Sequence, residues 1–206
     1  MLNEKEIRVL GCLIEKERTT PEYYPLTLNS LTNACNQKSN RFPIVAYDEV
    51  TVQQVLDGLQ GKRLTLTLHG GTNRVVKYQH DFPKVYALSA EETAVLCELM
   101  LRGPQTAGEI RTHAERIHKF AHLGEVAGIL DGLSQREQPL ITILPRQAGM
   151  KESRYAHLLA GEPQSQEKQG ELTVEGRVVE MENQVADLKS ELDALRKEFM
   201  AFKAQF

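Results

Sequence analysis

The chain has 206 residues, of which 41% are hydrophobic and 26% charged, and its formal net charge is −3. These values are typical of a globular protein and argue against a disordered chain, and no apolar run is long enough to cross a bilayer. Residues 1–85 carry 11 basic and 9 acidic side chains, whereas residues 161–206 carry 6 and 10. A nucleic-acid-binding domain is usually strongly basic, so any DNA binding must come from a local patch.

The N-terminal segment MLNEKEIRVLGCLIEK is charged and helical in period, unlike a secretion signal. The three cysteines, Cys12, Cys35 and Cys97, are odd in number, widely spaced and each inside a helical pattern. That usage favours reduced thiols over a disulfide framework or a zinc site. We therefore expect a cytoplasmic protein.

Two capping-box patterns begin the first helix of a repeated unit. Asn3 precedes Glu6 by three residues, and Ser89 precedes Glu92 in the same way. In each, the short polar side chain caps the helix and the glutamate reaches back to the capping residue. The apolar runs that follow match at an offset of 86 residues, so the sequence predicts two related halves.

The third helix of each half gives the best internal match, VQQVLDGL against VAGILDGL. Apolar side chains at i, i+3, i+4 and i+7 form one buried stripe in both segments. The stripes consist of Val52, Val55, Leu56 and Leu59 in the first half, and of Val126, Ile129, Leu130 and Leu133 in the second. We predict helices over 48–61 and 123–136.

A β-hairpin is predicted after each third helix. In RLTLTLHG, Leu64, Leu66 and Leu68 alternate, and a turn at 70–73 leads into RVVKY. In the second half, LITILPR and SRYAHLL flank a turn at 148–149. Three helices and a hairpin, twice, predict a mainly α fold with small β-hairpin wings (α+β). The expected domains are tandem winged helix-turn-helix units at 1–85 and 86–160.

The segment EKERTTPEYYPLTLNSLTNACNQKSNR, residues 15–41, closely resembles the signature of the YceH-like family of uncharacterised bacterial proteins. SRYAHLL, residues 153–159, resembles a second block of that family, and the likeness covers about residues 1–160. The resemblance implies a tandem winged-helix fold in a cytoplasmic protein, and it implies no particular activity.

The C-terminal part combines a polar linker at 161–171 with a heptad pattern at 172–206, which predicts a C-terminal coiled-coil helix. Charges at the flanking positions are opposite in sign for a parallel in-register pair, which favours a homodimer. The same pattern also fits an amphipathic helix folded back on the chain's own domains. The expected dimerisation residues are Val178, Met181, Val185, Leu188, Leu192, Leu195, Phe199 and Phe202.

In a winged helix the third helix usually enters the major groove, and the hairpin contacts backbone or minor groove. Gln53 and Gln54 can pair with adenine, but Asp48 and Glu49 at the start of the same helix repel phosphate. In the second half, Ala127 and Gly128 replace the glutamines and cannot read bases. The hypothetical contacts to duplex DNA are Lys38, Asn40, Arg41, Gln53, Gln54, Arg74 and Lys77.

An alternative function is that of a protein-interaction adaptor, in which the tandem winged helices hold a partner protein without binding DNA. The acidic balance and the Asp48–Glu49 pair favour this alternative. A pull-down with nuclease treatment distinguishes the two functions.

The stretch TNACNQKSNRFP, residues 32–43, combines a thiol with basic and amide side chains and so resembles an active site. The step from Leu31 to Cys35 continues an apolar stripe, which favours a buried structural thiol over a nucleophile. We interpret the stretch as the end of the second helix and a surface loop held by Phe42 and Ile44.

We expect no enzyme, no cofactor and no metal site. The chain lacks a phosphate-binding glycine loop and the common hydrolase motifs. The histidines His113, His118 and His122 are spaced by five and four residues across an expected helix end and therefore share no face.

Overall fold

A computed structural model of the chain describes residues 1–69, 75–146 and 152–163. Seven α-helices lie in these residues: α1 (Glu4–Thr19), α2 (Leu28–Cys35), α3 (Glu49–Gly61), α4 (Phe82–Tyr86), α5 (Ala90–Arg102), α6 (Ala107–His113) and α7 (Leu123–Ser134). Two 3-10 turns, Pro21–Tyr23 and Ala114–Arg116, follow α1 and α6. Among the described residues, no helix has the length and apolar character needed to span a membrane.

The strands form two small antiparallel sheets. Strands β1 (Leu26–Thr27), β2 (Thr65–Leu68) and β3 (Lys77–His80) make a three-stranded sheet in the order β1-β3-β2. Strands β4 (Ile141–Ile143) and β5 (Tyr155–His157) form a two-stranded sheet. The architecture is therefore mainly helical with small antiparallel sheets, in agreement with the predicted α+β composition.

Helix starts follow the local sequence closely. The capping boxes predicted at Asn3 and Ser89 are both present, with reciprocal hydrogen bonds to Glu6 and Glu92. A third capping box, between Thr106 and Glu109, begins α6 and was not predicted from the sequence. Such boxes satisfy backbone N–H groups that the helix itself leaves without partners.

Helices α1 and α5, one from each sequence half, pack closely at Gly11. A side chain there would lie 2.9 Å from Leu101 Cδ2, and the thiol of Cys97 donates to the Gly11 carbonyl at 3.4 Å. The described residues of both halves contribute to one hydrophobic core, and residues 1–163 form one compact unit. The missing side chain at Gly11 is what permits this approach.

The first hairpin departs from the expected pattern. Leu64 is buried, but Leu66 and Leu68 are more than a third exposed, and Thr65 takes the buried position beside Leu64. The return strand begins at Lys77, later than the RVVKY segment indicated. The leucine alternation therefore identified the strand correctly, but two of its leucines lie on the outer face.

Candidate nucleic-acid interface

The loop between α2 and α3 is closed by the side chain of Asn36. Its amide Nδ2 donates to the Tyr47 carbonyl, and the Tyr47 N–H donates to Asn36 Oδ1, both at 2.7 Å. The Asn36 side-chain amide thus pairs with the Tyr47 backbone in the same way as a residue of a neighbouring antiparallel strand would. The loop that contains NQKSNRFP, residues 36–43, therefore has a fixed base, with α3 beginning directly after the loop at Glu49.

Arg41, an expected phosphate contact, is instead a buried structural residue. Its side chain has 0% exposure and donates to both carboxylate oxygens of Glu15, at 3.0 Å for Nη1–Oε1. It also donates to the Ala34 carbonyl and to Gln37 Oε1. The guanidinium fork finds all its acceptors inside the protein, so in this conformation a phosphate has no access to it.

The charge of Arg41 changes the acidity of its partner. Burial alone would raise the pKa of Glu15, but the hydrogen bonds and attraction of Arg41 outweigh burial and hold the pKa below its usual value. Glu15 is therefore ionised at neutral pH, and the two groups form a buried ion pair between α1 and the loop.

A second buried guanidinium, that of Arg8, completes this arrangement. Arg8 donates to the carbonyls of Cys35 and Pro43, and it is only 3% exposed. Arg8 and Arg41 thus cap two carbonyls at the C-terminal end of α2, where the helix dipole favours positive charge. Nothing in the local spacing around Arg8 distinguished it from an ordinary surface arginine of an amphipathic helix.

The other two loop candidates differ in their availability. Asn40 has a positive φ of 60° and accepts a hydrogen bond from Arg102 of α5 at 2.7 Å. Lys38 is exposed, and no carboxylate of the described residues pairs with it. Among these loop residues, Lys38 is the one that presents a free charge to solvent.

The two glutamines of α3 have different surroundings. Gln53 Oε1 accepts from the Tyr78 hydroxyl at 2.7 Å, and Gln53 Nε2 donates to Asp57 at 2.8 Å. Gln53 therefore ties α3 to β3 and is not free to read a base. Gln54 is exposed, and the described residues offer its side chain no hydrogen bond.

The acidic pair at the start of α3 has structural partners. Asp48 is the N-cap and accepts from the Thr51 N–H at 2.8 Å, an interaction that lowers the pKa of Asp48. Glu49 accepts from the Asn29 amide of α2 at 3.0 Å. Both carboxylates are exposed, so they add negative charge to the surface beside Gln54.

Among the remaining candidates, Lys77 is exposed at the start of β3. Arg74 and the eight predicted dimerisation residues lie outside the described residues. Phe42 and Ile44 are 60% and 63% exposed, so burial of their side chains does not hold the loop as expected. Hydrogen bonds of Asn36, Arg41 and Arg8 hold it, together with one from the Phe42 N–H to the Leu101 carbonyl at 2.8 Å.

The cysteines are three buried free thiols, as the sequence predicts for structural residues. A hydrogen bond with the neighbouring Cys12 thiol, together with burial, raises the pKa of Cys35. Burial likewise raises the pKa of Cys97. All three cysteines are 0% exposed and out of reach of an external substrate, so they pack the α1–α2–α5 core. Within the described residues, no cluster of three His, Cys, Asp or Glu side chains is arranged to hold a metal ion.

Comparison with known proteins gives consistent matches along the chain. Residues 2–150 match the model of a family described as "Protein of unknown function, DUF480". A UPF0502 protein of Pelobacter propionicus is 50% identical over 216 residues, covering 100% of this chain and 98% of the relative. A UPF0502 protein of Geotalea daltonii is 56% identical over 168 residues, covering 82% and 77%. The chain therefore belongs to the DUF480/UPF0502 family.

Proposed function

We propose that this protein is a non-enzymatic, cytoplasmic DNA-binding protein of the transcription-regulator type, built from tandem winged helices. Each half has the order of a winged helix: three helices and then a hairpin. In the first half, β1 between α1 and α2 joins the hairpin as the third strand of the sheet. The order supports the fold assignment, and the function rests on the side chains around α3.

The observation that carries the proposal is the exposure of Lys38 and Lys77 near α3. Lys38 follows the C-terminal end of α2, and Lys77 precedes Tyr78, whose hydroxyl bonds to Gln53 of α3. Neither lysine is paired with a carboxylate of the described residues. In this proposal, the two free cations contact the phosphate backbone and the exposed Gln54 contacts one base edge.

A fluorescence-polarisation titration of the full chain with random duplex DNA at low salt tests this function. We expect saturable binding whose affinity falls steeply with added salt, because phosphate contacts release counterions. Lys38→Gln with Lys77→Gln should weaken it. Absence of binding at low salt, or affinity that does not respond to salt, would contradict the proposal.

We further propose that the protein is a homodimer through the heptad segment 172–206, which would allow two half-sites to be bound together. Sedimentation equilibrium of the full chain and of residues 1–165 provides the test. A full chain of twice its monomer mass, with a monomeric 1–165, is expected. Monomer masses for both the full chain and residues 1–165 would contradict the homodimer.

A second candidate function, a protein-interaction adaptor without DNA binding, is favoured by one specific observation. Phe42, Ile44 and Val50 are each at least 60% exposed, close in sequence to the carboxylates of Asp48 and Glu49. Exposed apolar side chains are enriched where proteins bind one another. A pull-down with nuclease treatment separates the functions, because protein partners that survive nuclease support the adaptor.

A further inference from the structure

Three exposed cations follow one another closely in sequence, from the last turn of α6 to the segment before α7. Arg111 is in the last turn of α6, Arg116 ends the 3-10 turn, and Lys119 follows three residues later. No carboxylate of the described residues lies within ion-pair distance of any of them. The three charges are therefore available to an external anion.

Three other arginines of the second half have internal partners, whereas Arg146, the last described residue before the second hairpin turn, is exposed. Arg136 donates to Glu92 and to the Tyr86 carbonyl, and Arg154 donates to Glu109 and to the Pro104 carbonyl. Arg102 pairs with Glu98 at 2.8 Å. Against this background, the free cations of the α6–α7 turn are a distinct group.

Within residues 111–120, the three cations outnumber the single carboxylate of Glu115, which gives a formal net charge of +2. Glu109 and Glu125 flank this segment and keep their negative charge. Glu109 closes the capping box at Thr106, and Glu125 accepts from the Ala121 N–H at 2.7 Å. The positive charge is therefore confined to residues 111–120.

The helix that follows the turn leaves space for a large ligand. Gly128 and Gly132 are exposed on α7, and a Cβ atom built at either position would meet no atom within 4 Å. The glycines do not contact a ligand through side chains. Because they have none, this part of α7 would not keep a DNA duplex at a distance from the three cations. The same absence of side chains means that α7 offers little to read a base edge.

We propose that the α6–α7 turn, through Arg111, Arg116 and Lys119, is a phosphate-backbone-binding surface for duplex DNA that acts without base readout. The inference rests on the proposed function and adds a phosphate contact from the second half to that of Lys38 and Lys77. The carboxylates of Asp48 and Glu49 reduce the positive charge around α3, so a further backbone contact elsewhere would strengthen binding. Phosphate contacts of this kind position a protein on DNA without selecting sequence.

A lipid surface is the competing anionic ligand, and the structure favours DNA over it. Peripheral binding to membranes uses exposed apolar side chains that insert among the lipids. In residues 111–120, Phe120 is 5% exposed and packs against His118, with ring centroids 4.8 Å apart and planes tilted by 53°. The exposed side chains of this segment are polar, and Leu123, which is 48% exposed at the start of α7, is a single apolar side chain beside it.

The test compares two charge-removing variants of the full chain. One carries Arg111→Gln, Arg116→Gln and Lys119→Gln, and the matched control carries Lys38→Gln and Lys77→Gln. Affinity for random duplex is measured by fluorescence polarisation over a range of salt concentrations. Each lost phosphate contact lowers the slope of log affinity against log salt by about 0.9. We expect the triple variant to lose about two to three units of slope.

The outcomes separate this inference from the proposed function. A triple variant with the wild-type slope, while the wild type binds duplex and the control variant is weakened, overturns the inference and leaves the proposed function standing. Wild type that does not bind duplex overturns both. Binding of wild type to phosphatidylserine vesicles and not to duplex assigns the surface to lipid and overturns the inference. Unchanged thermal midpoints of the variants are expected, because the substituted side chains are exposed.

Discussion

Arg41 and Glu15 form a buried ion pair across 26 residues of sequence, with a fully buried guanidinium and a carboxylate that is 13% exposed. The pair fixes the loop after α2 to α1, and Arg41 also caps the Ala34 carbonyl at the end of α2. A stretch that resembles an active site in sequence is therefore a structural junction. Its role is to place the loop against α1, immediately before α3 begins.

Removing Arg41 tests this structural role. Arg41→Ala removes the buried partner of Glu15 and leaves its carboxylate, which is 13% exposed, with Lys16 alone at 3.3 Å. Breaking a buried pair costs about 3–5 kcal/mol of unfolding free energy, and the remaining Lys16 places the expected loss at the lower end of that range. Lys38→Ala, on the exposed part of the same loop, should change stability by less than about 0.5 kcal/mol. Urea unfolding monitored by circular dichroism measures both. Similar midpoints for the two variants would show that the ion pair contributes little.

The acid sensitivity of the fold should depend on His157. Burial lowers the pKa of His157 to about 4, compared with 6.5 for a free histidine. The folded state therefore favours the neutral ring, and the stability that this contributes is present above pH 6.5 and lost as the pH falls towards 4. At pH 5 the loss relative to neutral pH is about 2 kcal/mol.

His157→Gln removes the titrating group and should remove that part of the pH dependence. We expect wild type to lose about 2 kcal/mol more than His157→Gln between pH 7 and pH 5, measured by urea unfolding. His69→Gln, at an exposed histidine, serves as the control and should retain the wild-type loss. If the unfolding free energies of wild type and His157→Gln fell by the same amount between pH 7 and pH 5, the lowered pKa of His157 would be contradicted.

Two glycine-to-alanine substitutions should have opposite effects on stability. At Gly11 the new Cβ would lie 2.9 Å and 3.1 Å from two atoms of Leu101. Overpacking of about 1–3 kcal/mol should exceed the gain in helix propensity of about 1 kcal/mol, so stability falls. A Cβ built at Gly128 would meet no atom within 4 Å, so Gly128→Ala should stabilise α7 by about 0.5–1 kcal/mol. Thermal unfolding measures both, and the same sign for the two would contradict the close α1–α5 contact.

The helix starts were predictable because their determinants are local. Asn3 and Glu6, or Ser89 and Glu92, lie within one turn of each other, so sequence spacing alone defines the capping box. The buried stripe of α3 followed from the same short-range periodicity, and Val52, Val55, Leu56 and Leu59 are buried as predicted.

The candidate site was less predictable because its contacts span long sequence separations. Arg41 and Lys38 look alike in sequence, and only the position of Glu15 on α1 separates a buried cation from a free one. Gln53 and Gln54 are adjacent residues of one type, but the Tyr78 hydroxyl engages Gln53 alone. Which side chain of such a set reaches solvent depends on tertiary packing, which residue type does not encode.

The exposed leucines of β2 also show that a sequence pattern does not determine which side chains are buried. Leu66 and Leu68 alternate as buried residues would, yet they are more than a third exposed. A strand of a small three-stranded sheet has one face without a covering layer, and alternation does not state which face that is.

Hydrogen exchange of the full chain, measured by mass spectrometry with and without saturating random duplex DNA, tests the central claim most directly. We expect slower exchange in residues 111–126, which include the end of α6, the following turn and the start of α7, and around α3, with little change in α1 and α5. Exchange that is the same in the presence and absence of duplex, or protection confined to the loop around Phe42 and Ile44, would contradict it.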